Sequence, residues 1–119
     1  MNLAQKVLKN LLGENSFTDL SIDKIVKYVC REMKVSERQI LGKGRTMEVA
    51  LARQLAMFLS KELTGASLAN IGILIGGRDH STVIHACKNI DKKAIADSEF
   101  QRKIDSMKNG ISGQKLPKQ

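Results

Sequence analysis

The chain predicts an all-α fold: a compact helical domain containing a helix-turn-helix, preceded by an N-terminal linker helix. Three observations carry that expectation. Apolar residues recur at i, i+3, i+4 and i+7 along most of the 119 residues. A single proline and nine glycines punctuate these segments at short turns. No strand alternation, internal repeat or low-complexity tract interrupts them. A chain of this size buries roughly two-thirds of the surface its unfolded form exposes, so it needs neither disulfide nor metal to fold.

The elements follow in order. Asn2 to Leu12 carries Leu3, Val7 and Leu11 on one stripe, with Gly13 to close it. Residues 1–20 therefore read as a linker helix and a polar connector anchored by Phe17. Ser21 is placed to cap a second helix bearing Ile22, Ile25, Val26, Val29 and Met33. A short third helix is signalled by Ser36 with Gln39 as a capping box and Val35 stapled to Ile40. "GKGR", Gly42 to Arg45, breaks the pattern as a basic loop. Thr46 caps the next helix, Met47 to Leu63, whose stripe is Val49, Ala52, Ala56, Leu59 and Leu63, and Gly65 ends it. Ser67 caps a brief helix with Leu68, Ile71, Leu74 and Ile75. Gly76-Gly77 turns the chain, and a further helix runs from about Asp79 into the Ile90 to Ile95 region. Ser98 with Gln101 predicts a second capping box for a last helix with Phe100, Ile104 and Met107. The domain thus spans 21–110, and 111–119 read as a flexible polar tail.

The formal net charge of +8 favours a polyanionic partner, usually nucleic acid and sometimes an acidic membrane surface. The bland alternative is solubility. Aromatic residues make up only 3%, which argues against base stacking and hence against single-stranded nucleic acid. Cys30 and Cys87 lie inside apolar runs and read as reduced, buried hydrophobes. With no signal peptide pattern and no apolar run of membrane length, the expected location is the cytoplasm.

"IGGRDHSTVIHACKNI", Ile75 to Ile90, invites three chemical readings. Asp79, His80 and Ser81 have the residue types of a hydrolytic triad, but consecutive helical residues point about 100° apart. A triad needs its members in line, so no catalytic residue is assigned and the chain is not read as an enzyme. Two Cys and two His could be four zinc ligands, yet no Cys-x-x-Cys or His-x-x-x-His occurs, and His80 and His85 diverge by about 140°. Neither glycine-bearing loop matches a phosphate-binding Gly-x-x-x-x-Gly-Lys-Ser/Thr after a strand. The remaining reading is geometric. With Val83 inward, Ala86, Cys87 and Ile90 share the buried side, leaving Ser81, His85, Lys88 and Lys92 outward. That face suits a helix entering a major groove by its N-terminus. Asp79 and His80 then either present acceptors and donors to base edges or merely support the helix dipole and face solvent.

These residues resemble a known family. "GGRDHSTVIHACKNI", "ARQLAMFLSKELTGASLANIG" and "IDKIVKYVCREMKVSERQILGKGR" are similar to the C-terminal DNA-binding domain of the DnaA replication initiators over about Ile22 to Ile95. The resemblance implies a helix-turn-helix docked in the major groove of a short, asymmetric, A·T-rich origin sequence, the DnaA box. It implies base reading by Asp79, His80 and Ser81 with Thr82 close by, and minor-groove entry by Arg45. It implies phosphate contacts from Arg53, Gln54, Lys61, Arg78 and His85, helped by Lys43. Each has a plainer alternative: a solvated charge for Lys61, a flank of the core stripe for Arg53 and Gln54, a mobile loop cation for Arg45.

Three departures stand out. Ser81 replaces a common threonine and loses a methyl that could touch thymine. The basic loop offers only Lys43 and Arg45 before Arg53, with Glu48 opposing. The ATP-binding AAA+ module is not in this chain, so no cofactor is expected here; Asn2 to Leu12 resembles the end of its helical lid. The expected partner is double-stranded DNA, bound without a membrane by a chain that is monomeric in isolation, with assembly through an AAA+ module if the full protein carries one. The alternatives are a stand-alone DnaA-like paralogue regulating transcription or replication, and a protein-binding adaptor whose positive charge is incidental.

Overall fold

A computed structural model describes residues 21–113. Six helices follow one another: α1 (Ile22–Met33), α2 (Glu37–Leu41), α3 (Met47–Leu63), α4 (Leu68–Leu74), α5 (His80–Ala96) and α6 (Ser98–Gly113). No strand occurs among the described residues, and the fold is all-α as predicted. The predicted linker helix lies outside the described residues, as do residues 114–119.

Local side-chain chemistry starts most of these helices. The first N–H groups of a helix have no internal partner, and a short oxygen-bearing side chain supplies one. Ser21 Oγ accepts from the Lys24 amide at 3.2 Å, Thr46 Oγ1 from Val49 at 3.3 Å and Ser67 Oγ from Asn70 at 3.1 Å. The capping box at α2 is reciprocal: Gln39 N–H donates to Ser36 Oγ at 3.0 Å, and Ser36 N–H to Gln39 Oε1 at 2.9 Å.

The last helix departs from expectation at both ends. Asp97, not Ser98, is the cap, accepting at Oδ1 from the Glu99 and Phe100 amides at 3.0 and 3.3 Å. Asp97 also closes α5 through its N–H to the Lys93 carbonyl and opens α6 through its own carbonyl to Gln101 N–H. With one residue shared between two helices, Ser98 already sits in the first turn, and a carboxylate is the better acceptor at a positive helix end. At the other end α6 passes the expected boundary at Gly110 and runs to Gly113, because Ile111 is buried in the core.

α3 is the central helix. From Leu55 to Ser60 it is buried all round, with Leu55, Ala56, Met57, Phe58 and Leu59 inside, so the one-sided stripe expected there is too narrow. α1 brings Ile25 and Val29 to it, α5 brings Val83 and Ile90, and α6 brings Ile104, Met107 and Ile111.

Ser60 is the exception in this core. It is fully buried, and its hydroxyl has no hydrogen-bond partner among the described residues. An unmade buried hydrogen bond costs roughly 1–3 kcal/mol, and alanine removes the orphan with little loss of volume. Ser60→Ala is therefore expected to stabilise the domain by about 1 kcal/mol. A urea melt showing a lower midpoint for the variant would refute this.

Candidate nucleic-acid interface

α4, the Gly76-Gly77 turn and α5 form the helix-turn-helix. Both glycines take left-handed backbone, φ 87° and 66°, which side chains rarely adopt. The turn is closed by the Arg78 N–H to the Gly72 carbonyl at 2.8 Å and the Gly77 N–H to the Ile73 carbonyl at 3.0 Å. Gly72 has no room for a side chain, since a Cβ there would collide with the Arg78 carbonyl oxygen and come within 3.1 Å of that of Asp79.

The faces of α5 fall as the helical spacing requires. Val83, Ala86, Cys87 and Ile90 are buried, while Ser81, His85, Lys88 and Lys92 are exposed. Asp79 is the N-cap. Its Oδ1 accepts from both the Thr82 amide and the Thr82 hydroxyl at 3.0 Å. These two bonds, the backbone one first, hold the Asp79 carboxyl below its ordinary pKa. Asp79 thus organises the helix start, and Oδ2 accepts no hydrogen bond among the described residues. The Thr82 hydroxyl hydrogen is committed to Asp79; its methyl is not. Asp79, His80 and Ser81 are linked by no side-chain hydrogen bond among the described residues.

Lys43 and Arg45 are exposed on the basic loop, and neither makes an ion pair among the described residues. Behind them, two arginines turn inward. Arg53 donates from Nε to the Ile40 carbonyl at 2.7 Å and from Nη2 to the carbonyls of Gln39 and Gly42 at 2.8 and 3.0 Å. Arg78 donates from Nη1 to the Ile75 carbonyl at 3.0 Å and from Nη2 to the Gly42 carbonyl at 2.7 Å. Arg78 was expected to face phosphates, and Arg53 either to face phosphates or to flank the core stripe; the structure gives each hydrogen-bond partners inside the fold. Burial first, and the neighbouring Arg78 charge second, lower the pKa of Arg53.

Gln54 is likewise engaged, accepting at Oε1 from Asn89 Nδ2 at 2.7 Å. Asn89 was missed by sequence reasoning, because a polar residue at the margin of a buried stripe gives no signal of its partner. Lys61 is exposed near the end of α3, with Glu62 Oε2 3.8 Å away. A solvated pair of that length contributes little.

Cys30 and Cys87 are free and buried, and burial pushes both thiols up in pKa, away from the nucleophilic form. Among the described residues no group of three or more His, Cys, Asp or Glu could hold a metal ion. None of the described helices is long and apolar enough to cross a membrane.

Comparison with known proteins accords with this geometry. Residues 22–90 match the family model described as the bacterial dnaA protein helix-turn-helix. Proteins named chromosomal replication initiator protein DnaA are similar over most of this chain. The one from Chlorobaculum tepidum is 40% identical over 93% of the chain and 22% of its own length. That from Thermodesulfovibrio yellowstonii is 41% identical over 96% and 26%, and that from Flavobacterium psychrophilum 40% over 94% and 23%. The chain spans about a quarter of the length of these relatives.

Proposed function

The chain belongs to the bacterial DnaA helix-turn-helix family, a DNA-binding family of replication initiation, and from that premise we propose that it binds double-stranded DNA at DnaA boxes of the replication origin. The observation that supports this most is the free, capped N-terminus of α5, with His80 and Ser81 exposed beside it. Asp79 Oδ2, His80 and Ser81 read base edges in the major groove, and the Thr82 methyl contacts bases close by. Arg45 enters the adjacent minor groove. Lys43, Lys61, His85 and the amide nitrogen of Gln54 contact phosphates, as do the N–H groups that Arg53 and Arg78 have left over. Such contacts set position and affinity, while base contacts set sequence.

No cofactor, metal or catalytic step is assigned to these residues, and one copy suffices for an asymmetric box. The nucleoid-bearing cytoplasm is the corresponding location. ATP-driven assembly would belong to other parts of a longer protein like the relatives.

Fluorescence anisotropy of the chain on a box duplex and a scrambled duplex, at low and near-physiological salt, tests the proposal. Non-specific affinity should fall by roughly 0.9 log units per log unit of salt for each phosphate neutralised. A box preference of about ten-fold or more (about 1.4 kcal/mol) is expected to survive at the higher salt. Equal binding to both duplexes, fading together, would instead favour a protein-binding adaptor.

A further inference from the structure

We infer that Arg78 and Arg53 are positioning residues that tie the basic loop to the helix-turn-helix, holding the minor-groove cation Arg45 at a set distance from the major-groove tip. The inference rests on the DNA-box reading above and deepens it.

The junction is the Gly42 carbonyl, which accepts from Arg78 Nη2 at 2.7 Å and from Arg53 Nη2 at 3.0 Å. The two donors come from opposite sides. Arg53 is on α3 and also takes the Gln39 and Ile40 carbonyls at the C-terminal end of α2. Arg78 directly precedes the Asp79 cap of α5 and also takes the carbonyl of Ile75, where α4 ends. α2 and α4 are too short to persist on their own propensity, and their last carbonyls lack helical partners. The guanidinium fork meets that need at two or three points at once, which a lysine ammonium cannot do with fixed geometry.

Two glycines make the junction possible. A Cβ at Gly76 would strike the Arg78 guanidinium and approach the Leu41 carbonyl oxygen to 2.8 Å. A Cβ at Gly42 would stand 2.8 Å from the Arg38 carbonyl oxygen. Like charges converge here without a carboxylate, since neither arginine forms an ion pair among the described residues. Their repulsion is accepted for the sake of the shared carbonyl.

The consequence for Arg45 is geometric. Lys43, Gly44 and Arg45 bridge Gly42, pinned by two arginines, and Thr46, pinned as the cap of α3. At about 3.3–3.6 Å per residue, Arg45 is confined to within roughly 11 Å of the Gly42 anchor. Its spacing from the α5 tip is therefore set by Arg78, which bonds the Gly42 carbonyl and directly precedes the Asp79 cap.

The test uses Arg78→Lys and Arg53→Lys, which keep the charge and remove the fork. Each acts on the same carbonyl, Arg53 from α3 and Arg78 from the turn before α5, so one reads the result if the other fails to fold. Binding is measured on a box duplex and on one whose A·T pairs facing Arg45 are changed to G·C, which adds a guanine amino group to the minor groove. The unaltered chain should prefer the A·T duplex by about five-fold or more. Either lysine variant should lose that preference as Arg45→Ala does, and adding Arg45→Ala to it should cost nothing further. Backbone NMR order parameters at Lys43, Gly44 and Arg45 in the free protein should fall. Preference retained while both duplexes weaken equally would mean phosphate contact alone and overturn the inference. Unchanged loop order parameters would overturn it too. If the unaltered chain ignores the box altogether, the box reading fails, and the loop order parameters still decide whether the arginines hold the loop.

Discussion

Gly72→Ala should lower the thermal midpoint by roughly 10 °C and abolish box binding with it. Alanine in a helix ordinarily gains about 1 kcal/mol over glycine. Here the added Cβ would run into the Arg78 carbonyl oxygen and crowd that of Asp79. Both are backbone atoms, and the Arg78 peptide is already bonded to Gly72. No side chain can swing aside, so the turn itself must open. Overpacking against a fixed neighbour costs about 3 kcal/mol at the upper end of its usual range, leaving a net loss of about 2 kcal/mol. In a domain of this size that corresponds to the shift named above. The melt is followed by circular dichroism, and binding by anisotropy below the midpoint. A variant that melts at or above the parent temperature would show that the turn yields cheaply.

Asp79→Asn and Asp79→Ala are expected to separate two roles that one carboxylate performs. Oδ1 caps α5 through Thr82, while Oδ2 carries the proposed base contact. Asparagine caps helices about as well as aspartate, so Asp79→Asn should keep the melting temperature. It places an amide N–H₂ where Oδ2 stood, turning an acceptor into a donor, and box preference should fall roughly ten-fold. Asp79→Ala should lose both the preference and some stability. An asparagine variant with unchanged preference would leave Asp79 as a cap only. The depressed pKa adds a pH signature. A carboxyl lowered in the folded state stabilises fully above its unfolded pKa and loses that contribution as pH falls through the folded value. The Asp79 cap should therefore hold at neutral pH and fail only in acid below the ordinary carboxylate range.

Much of the fold was legible because its signals are local. The caps at Ser21, Ser36, Thr46 and Ser67 lie within three residues of the amides they serve. The buried side of α5 follows from helical spacing alone. Where two local signals competed, the pattern misled: Ser98 and Asp97 both suit a cap, and the sharing of Asp97 between α5 and α6 decides for the carboxylate. The family resemblance named the site residues, yet it did not show what their side chains do at rest. Asp79 is a cap before it meets any ligand, and Arg53, Gln54 and Arg78 already have partners.

Those partners mark the boundary between the two kinds of information. Sequence by itself determined helices α1 to α5, their starts and the outward face of α5, since each depends on residues one to four positions apart. Tertiary structure alone decided the Arg78 to Gly42 bond across 36 positions and the Asn89 to Gln54 bond across 35. Nothing in a linear pattern states which carbonyl a guanidinium will reach. That depends on how α3, α4 and α5 pack, because only packing brings the orphan carbonyls of two short helices to the same pair of arginines.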